Sequence, residues 1–341
     1  MTIRCVHYEL TDLCNAGCPQ CPRTNPAGCK PEGWLARGVC SLESFRRLSP
    51  SGFLQELDSA YFCGNFGDPA VVPELIDILR YCWDAKPTLK LAVHTNASVR
   101  SAAWWEALAR TAAGHRFRVI AGIDGASHET NRRYRVRTDF PRIIDNLAAF
   151  IAAGGEAEWR MLVFRHNEHE VDVAERMARD LGFVAFKAYP SNRFAGRDSF
   201  GYTHDGEAFV LEPPTKTFAS KAPARHMIAP QDVAQTEAVI DCDALRKSSA
   251  FINFEGYLLP CCYIGRRLYV HEHGAPEQKD RAIGQVFDSF DMRRLNVEAV
   301  GFAAARTAYD AFLEHLEPYW TEQRPQVCKA VCGRRRPLAA S

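Results

Sequence analysis

The sequence lacks an excess of either charge. Its 42 lysine and arginine residues nearly equal its 41 aspartate and glutamate residues, which gives a formal net charge of +1. This balance argues against a general electrostatic attraction to nucleic acid or to an anionic membrane. No apolar segment approaches the roughly 20 residues of a membrane span, and Glu9 and Asp12 interrupt the N-terminal region where an export signal would lie. We therefore expect a cytoplasmic protein that binds neither nucleic acid nor membrane.

The sequence also shows no internal repeat and no low-complexity tract. Its 341 residues are 47% hydrophobic and 24% charged, which is enough apolar material for one large domain and a small one. Thirteen cysteines are many for a protein without an export signal. Because disulfides are rare in the cytoplasm, clustered thiols there favour metal binding.

From residue 3 to about 190, short apolar segments rich in β-branched and aromatic residues alternate with amphipathic segments. The predicted strands are Ile3–Glu9, Ala60–Cys63, Leu89–His94, Phe117–Ile123, Trp159–Phe164 and Val184–Tyr189. The alternation predicts an α/β fold with a parallel sheet. Six strands are too few for a closed eight-stranded barrel, so a partly open barrel or an open sheet both fit. In either fold, the active site is expected at the carboxyl ends of the strands.

The second half of the chain differs in character. Residues 191–235 are rich in proline and glycine with little periodicity, which indicates a long connection that covers the site. Beyond it, two apolar segments flank Glu255 and Gly256, a hairpin signal. We therefore predict a barrel domain over 1–190, a connecting segment over 191–235 and a small domain over 236–341.

Three cysteines lie together directly after the first predicted strand, at Cys14, Cys18 and Cys21. Three thiolates on one short loop can hold a cubic iron–sulfur cluster and leave its fourth iron open to another molecule. The alternative is a zinc knuckle, for which Cys29 or His7 would supply the fourth ligand.

The spacing Cys-x3-Cys-x2-Cys after a first strand resembles the signature of the radical S-adenosylmethionine (SAM) superfamily. The resemblance implies a partial (β/α)6 barrel and a 4Fe–4S cluster whose open iron binds the amino and carboxylate groups of SAM. It also implies an external electron donor, such as flavodoxin or ferredoxin. One electron then cleaves SAM to a 5′-deoxyadenosyl radical, which abstracts a hydrogen atom from the substrate.

A second motif follows the second predicted strand. Gly67, Asp68 and Pro69 resemble the end of the superfamily's Gly-Gly-Glu-Pro motif, whose backbone contacts the amino group of SAM. Asp68 stands in place of Glu, and Phe66 in place of the first Gly. By itself, the same stretch would indicate an ordinary strand–helix turn.

Polar residues also end the third and fourth predicted strands. Thr95 and Asn96 resemble a Thr-Asn-Gly stretch of the family, and Asp124 resembles the Asp of its Ser-x-Asp-Gly segment. Such side chains suit the ribose hydroxyls of SAM. Turn formation is the alternative for each of them.

Arg160 lies in a strand that is otherwise apolar. If its side chain faces the barrel interior, it needs an anionic partner, such as the SAM carboxylate or a substrate oxyanion. The alternation of side chains along the strand does not decide between this position and an exposed position on the outside. We predict Arg160 and Asp124 as catalytic residues. Arg135, Asn167 and Lys187 are weaker candidates of the same kind.

The C-terminal cysteines form a second group. The spacing Cys242-x13-Gly256-x4-Cys261 resembles the opening of the SPASM/Twitch domain, a module that holds an auxiliary cluster. The resemblance implies that Cys328 and Cys332 complete four ligands, and that this is the shorter, one-cluster Twitch form. The resemblance therefore implies two 4Fe–4S clusters in all.

Two alternatives remain at this second group. Adjacent side chains rarely bind one metal site together, so only one of Cys261 and Cys262 is expected to be a ligand. Cys262 is the alternative to Cys261. The same four thiolates can also hold zinc. Structural zinc in both cysteine groups would make the chain a non-catalytic metal protein.

A cluster with four protein ligands has no open iron for substrate and is suited to electron transfer. This favours oxidation of a small-molecule radical, as in a dehydrogenase that converts an alcohol to a ketone. A decarboxylation or rearrangement and the modification of a peptide are the alternatives. The first predicted strand begins at about residue 3, which leaves no room before it for a leader-binding domain, so we expect a small-molecule substrate.

Overall fold

A computed structural model of the chain describes residues 2–191, 193–194, 196–221, 238–274, 281–322 and 325–335. Residues 222–235 of the predicted connecting segment therefore lie outside the described residues. No helix among the described residues is long and apolar enough to cross a membrane.

Fourteen short strands occur among the described residues, eight of them within the first 190 residues. They are β1 (Cys5–Glu9), β2 (Thr24–Asn25), β3 (Lys30–Pro31), β4 (Ser59–Phe62), β5 (Lys90–Thr95), β6 (Phe117–Gly122), β7 (Ala157–Val163), β8 (Ala185–Pro190), β9 (Phe200–His204), β10 (Glu207–Leu211), β11 (Ala238–Ile240), β12 (Ser249–Asn253), β13 (Leu258–Leu259) and β14 (Gly333–Arg335).

Helices follow most strands of the first half and dominate the last third. They are α1 (Leu42–Leu48), α2 (Ser51–Glu56), α3 (Leu75–Ala85), α4 (Ala102–Ala112), α5 (His128–Tyr134), α6 (Phe140–Ala152), α7 (Val171–Asp180), α8 (Lys216–Lys221), α9 (Asp243–Arg246), α10 (Cys262–His273), α11 (Arg281–Asp288), α12 (Val297–Val300), α13 (Phe302–Thr321) and α14 (Gln326–Cys332). Short 3-10 helices occupy Pro69–Val71, Glu168–Glu170 and Met292–Leu295.

One curved layer of eight strands organises the molecule, in the order β13-β12-β1-β4-β5-β6-β7-β8. The six strands from β1 to β8 in this layer are parallel to their neighbours. The prediction of an α/β fold with a partial (β/α)6 barrel is therefore confirmed. Among the described residues, the two outer strands of the layer do not pair, so the barrel stays open.

The C-terminal hairpin joins this sheet and does not form a separate one. Strand β12 pairs parallel to β1, with Val6 opposite Ala250, and β13 pairs antiparallel to β12. The cysteines that flank this hairpin are thereby brought beside the barrel.

Successive side chains of a strand point to opposite faces of the sheet, so one set packs against the surrounding helices and the other faces the barrel interior. In β7, Trp159 and Met161 are fully buried against the helices, and the intervening Glu158, Arg160 and Leu162 face the interior. Arg160 therefore lies on the inward face of β7. The sequence pattern alone did not decide between the inward and the outward face.

The segment expected to be a long irregular connection contains a β-hairpin. Strands β9 and β10 pair antiparallel around Asp205 and Gly206, both of which have positive φ. Asp-Gly is a favoured hairpin turn for this reason. The hairpin lies beside the first cysteine loop, since Gly28 N donates to Thr203 O at 3.0 Å. From the sequence, a long connection was predicted here, and this hairpin was not identified.

Candidate functional site

The loop after β1 brings Cys14, Cys18 and Cys21 to the wall of one cavity of about 260 Å³ at the carboxyl ends of the strands. Backbone bonds hold the loop in place: Gly17 N donates to Val136 O at 2.8 Å. A Cβ at Gly17 would lie 2.5 Å from the carbonyl oxygen of Cys29. Glycine is thus needed here for the close approach of two backbone segments.

Several N–H groups point at the sulfurs of this loop. Ala16 N lies 3.4 Å from Cys14 Sγ, and Asn96 Nδ2 lies 3.6 Å from the same atom. Arg135 Nη1 lies 3.9 Å from Cys18 Sγ. Burial raises the pKa of Cys14 and raises that of Cys18 to about 11. Because metal-bound cysteine is a thiolate, donors at these sulfurs fit a metal-bound state, and such hydrogen bonds also set a cluster's reduction potential.

The spacing of the thiols bears on the choice between zinc and a cluster. A Zn–S bond of about 2.3 Å places the sulfurs of a tetrahedral site roughly 3.8 Å apart. In the described part of the chain, the one set of three metal-binding side chains with donor atoms within 4.8 Å of one another is Glu255, Glu272 and His273. Neither cysteine group forms such a set among the described residues.

The Gly64–Gly67 loop is held by a residue that sequence reasoning missed. The carboxylate of Glu9, only 3% exposed, accepts hydrogen bonds from Phe66 N at 2.8 Å and from Asn65 Nδ2 at 3.1 Å. Burial raises the pKa of Glu9 to about 7. A Cβ at Gly67 would lie 1.9 Å from the carbonyl oxygen of Thr11. The available signal was an acidic residue at the carboxyl end of the first predicted strand.

Asp68 connects this loop to the one after β5. Its two carboxylate oxygens accept hydrogen bonds from Ala70 N at 2.9 Å and from Asn96 N at 2.7 Å. It thereby caps the 3-10 helix that begins at Pro69. Asp68, Asn96 and Thr95 line the cavity, and Pro69 does not.

Asp124 does not reach the cavity either. It is fully buried, and its oxygens accept hydrogen bonds from Arg135 Nε and Leu162 N, each at 2.6 Å. Arg135 lines the cavity instead, with its guanidinium crossing over β6. A Cβ at Gly122 would lie 2.4 Å from Arg135 Nη2, so the glycine makes room for this crossing. The weaker candidate Asn167 lies behind the same pair and donates to the carbonyl oxygen of Asp124 at 2.7 Å.

Arg160 lines the cavity from within the barrel and already has a protein partner. Its Nε lies 2.6 Å from Glu158 Oε1, and Lys187 Nζ lies 3.1 Å from the other oxygen of the same carboxylate. Glu158 is 2% exposed. The sequence predicted an anionic ligand as the partner of Arg160, whereas Glu158, two residues earlier on the same face of β7, takes that place.

Aromatic side chains fill the barrel interior beside this cavity. The ring of His7 stacks on Tyr61 at 4.5 Å between centroids, and Tyr61 lies 5.7 Å from His94. Burial lowers the pKa of His94 to about 3, so the ring is neutral. At the cavity wall, the Tyr134 hydroxyl is buried and has no hydrogen-bond partner among the described residues. Buried hydroxyls usually have a hydrogen-bond partner, so this one is an exception among the described residues.

Cys242, Cys261, Cys262 and Cys332 line a second cavity, of about 600 Å³, beside β12. A hydrogen bond between the side chains of Cys242 and Cys332 lowers the pKa of Cys242 and raises that of Cys332. Asp243 N lies 3.5 Å from Cys332 Sγ. Cys328 precedes Cys332 by four residues on α14, so both lie on the same face of that helix.

The adjacent Cys261 and Cys262 both line the second cavity. Burial raises the pKa of both thiols, to about 11 for Cys261. Asn65 Nδ2 donates to the carbonyl oxygen of Cys262 at 3.0 Å and so connects the two regions.

Comparison with known proteins adds the fold family. No protein-family model matches the chain, and no curated protein matches it in sequence. Among solved structures, SuiB of Streptococcus suis bound to S-adenosylmethionine superposes with a TM-score of 0.53 at 11% identity. That match covers 77% of this chain and only 61% of the SuiB chain. SuiB bound to its precursor peptide SuiA superposes with a TM-score of 0.56 at 11% identity, over 97% of this chain and 71% of SuiB.

Proposed function

We propose that this chain, which has the partial-barrel fold of radical SAM enzymes, cleaves SAM reductively at a 4Fe–4S cluster held by Cys14, Cys18 and Cys21. The observation that carries the proposal is that three thiols of one loop line a single cavity at the carboxyl ends of the parallel strands. Three protein ligands leave one iron open for SAM. When bound, the cluster supplies the electron for SAM cleavage, which generates the radical that takes a hydrogen atom from the substrate.

The surrounding residues have positioning and binding roles in this proposal. Asn96 and Arg135 donate to the sulfurs of the loop, and Asp124 holds Arg135. Asp68 joins two loops of the cavity wall, so that backbone groups there face SAM. Tyr134 offers a hydroxyl without a protein partner. The proposed SAM-binding residues that line the cavity are Gly67, Asp68, Thr95 and Asn96, and Pro69 shapes the loop from behind.

We propose a second cluster held by Cys242, Cys261, Cys328 and Cys332. The convergence of three of these thiols on one cavity supports it, and so does the placement of Cys328 one helical turn before Cys332. Four protein ligands suit electron transfer.

We propose that electrons pass between the two regions through the barrel interior. His7 and Tyr61 line the second cavity, and His94 lines the first. The ring centroids of His7 and Tyr61 are 4.5 Å apart, and those of Tyr61 and His94 are 5.7 Å apart. This arrangement favours a reaction in which the substrate radical is oxidised by one electron, as in a dehydrogenase acting on a small molecule.

Modification of a peptide is the second candidate function. It is favoured by the superposition on SuiB bound to the precursor peptide SuiA, which covers 97% of this chain.

The experiment is anaerobic reconstitution with iron and sulfide, followed by a SAM-cleavage assay under a strong reductant. The proposal predicts two 4Fe–4S clusters and formation of 5′-deoxyadenosine. Stoichiometric zinc without iron, and no SAM cleavage, would overturn it.

A further inference from the structure

One group of metal-binding side chains lies outside both cysteine regions. Glu255, Glu272 and His273 each contribute one donor atom, and these three atoms all lie within 4.8 Å of one another. Glu255 lies in the turn between β12 and β13, whereas Glu272 and His273 are the last two residues of α10. The group therefore joins a hairpin turn to the end of a helix.

The imidazole of His273 approaches both carboxylates with the same nitrogen. Its Nε2 atom lies 2.7 Å from Glu255 Oε1 and 4.0 Å from Glu272 Oε2. Ligand bonds of roughly 2.0–2.2 Å place neighbouring donor atoms of a tetrahedral site about 3.4 Å apart. The two observed distances lie on either side of that value, so small side-chain rotations bring the three atoms to bonding distance of one ion.

The second oxygen of each carboxylate is held by a neutral donor. Asn253 Nδ2 donates to Glu255 Oε2 at 3.2 Å, and the Tyr257 hydroxyl donates to Glu272 Oε1 at 2.7 Å. The remaining oxygens are thereby left facing His273. Outer hydrogen bonds of this kind orient the ligands of metal sites in proteins.

The turn and the helix end that supply the ligands are also fixed. Asn296 Nδ2 donates to the carbonyl oxygen of Glu255 at 2.9 Å, and the ring of Tyr269 lies 4.6 Å from that of His273. Gly256, with a φ of +95°, allows the tight turn after Glu255. Ligands that are already ordered lose less conformational entropy when an ion binds.

The charges of the group favour a cation. Within the described residues, His273 is the one positively ionisable side chain within 4.0 Å of either carboxylate. The two carboxylates are partly shielded from solvent, since 18% of the Glu255 side chain and 29% of the Glu272 side chain are exposed. With a neutral imidazole the group has two negative charges, and the carbonyl end of α10 adds a partial negative charge. A divalent cation balances this charge.

We propose that Glu255, Glu272 and His273 bind one divalent first-row transition-metal ion, with water at its remaining positions. Carboxylates suit Mn²⁺, and imidazole suits Zn²⁺ and Fe²⁺. The mixed set therefore fits this class better than Mg²⁺ or Ca²⁺, which prefer oxygen ligands alone. The ion connects the turn before Cys261 to the end of the helix after it, and so braces the segment that bears a proposed ligand of the second cluster.

The test is titration of the reconstituted protein with Mn²⁺ alone, after passage over a chelating resin and without SAM. Mn²⁺ is the probe because thiolates select other metals, and the EPR signal of free Mn²⁺ counts the unbound ions. We expect one Mn²⁺ to bind per chain. Tyr257→Phe removes only an outer hydrogen bond and should weaken binding about tenfold, whereas His273→Ala and Glu272→Gln remove ligands and should each weaken it on the order of a hundredfold.

Two of the variants separate loss of a ligand from other effects. His271→Ala is the matched control, because His271 lies in the same helical turn and pairs with Asp288 at 3.2 Å. It should leave the Mn²⁺ affinity unchanged. Glu272→Gln keeps the size of the side chain and an acceptor for the Tyr257 hydroxyl, so its loss of affinity is not a loss of folding.

Two outcomes would overturn the inference. One is a wild-type protein that binds no stoichiometric Mn²⁺. The other is Mn²⁺ binding that His273→Ala and Glu272→Gln leave unchanged, or that His271→Ala weakens equally, since the ion would then lie elsewhere. Because the titration contains no SAM, either outcome leaves the proposed SAM cleavage standing, and absence of SAM cleavage leaves this metal site standing.

Discussion

Gly122→Ala tests whether Arg135 must cross over the end of β6. A Cβ at position 122 would lie 2.4 Å from Arg135 Nη2, whereas ordinary contact begins at 3.4 Å. The guanidinium must therefore move by about 1 Å or more. That movement strains the 2.6 Å bond to Asp124 and the 3.9 Å contact with Cys18 Sγ.

The magnitude depends on whether the ion pair survives. Overpacking with the pair retained costs about 1–3 kcal/mol of unfolding free energy. If the pair breaks, fully buried Asp124 is left without its cationic partner, which costs roughly 3–5 kcal/mol. We expect a loss between these limits, together with slower SAM cleavage because a donor to Cys18 is displaced.

The assays are urea unfolding of the metal-free protein and 5′-deoxyadenosine formation by the reconstituted protein. Gly52→Ala is the matched control: Gly52 lies in α2, and nothing lies within 4 Å of its added Cβ. Alanine there should be neutral or stabilising, by up to about 1 kcal/mol. The reasoning is refuted if Gly122→Ala and Gly52→Ala unfold at the same urea concentration and cleave SAM equally fast.

Three further predictions follow from the two cysteine regions and the loop between them. Because burial raises the pKa of Glu9 from 4.5 to about 7, its contribution to stability is present below about pH 4.5 and is lost as the pH rises to 7. Glu9→Gln should therefore remove up to about 3 kcal/mol of pH dependence from urea unfolding over that interval, and equal profiles for both proteins would contradict this. Cys261→Ser should lower the iron content by one cluster, and Cys262→Ser should leave it unchanged; the reverse result in an iron assay would reassign the ligand. Cys328→Ala should lose the second cluster, still cleave SAM and fail to release oxidised product, and full product formation would make that cluster structural.

The barrel was largely predictable because its signals are local. Six short strands with alternating or continuous apolar patterns account for the parallel layer, and the predicted Phe117–Ile123 differs from the observed Phe117–Gly122 by one residue. The prediction that polar strand ends converge follows from the topology of parallel sheets. Cys14, Cys18 and Cys21 were found through spacing, which is also local.

Long-range pairing was not predictable in the same way. The parallel registration of β12 on β1 places Val6 opposite Ala250, and periodicity contains no information about such distant partners. The sequence indicated a small C-terminal domain, and the pairing of its hairpin with the barrel sheet could not be foreseen. The hairpin around Asp205 and Gly206 was missed although its turn signal was present, because proline and glycine nearby favoured an irregular segment.

The roles of individual side chains were harder to predict, because they depend on hydrogen-bond and ion-pair partners that are distant in the sequence. Asp124 was predicted to face a ligand, but Arg135 occupies its carboxylate and reaches the cavity in its place. Glu9 and Tyr134 were missed because a lone Glu or Tyr has no motif. Their roles become visible only once burial and hydrogen bonds are known.

The most direct test of the account compares four cysteine variants of the first loop region. Cys14→Ala, Cys18→Ala and Cys21→Ala should each lose the first cluster and all formation of 5′-deoxyadenosine after anaerobic reconstitution. Cys29→Ala, at a fully buried cysteine that does not line the cavity, should keep both. Equal SAM cleavage by all four variants, or its loss in Cys29→Ala alone, would contradict the assignment of the three-thiol loop as the site of SAM cleavage.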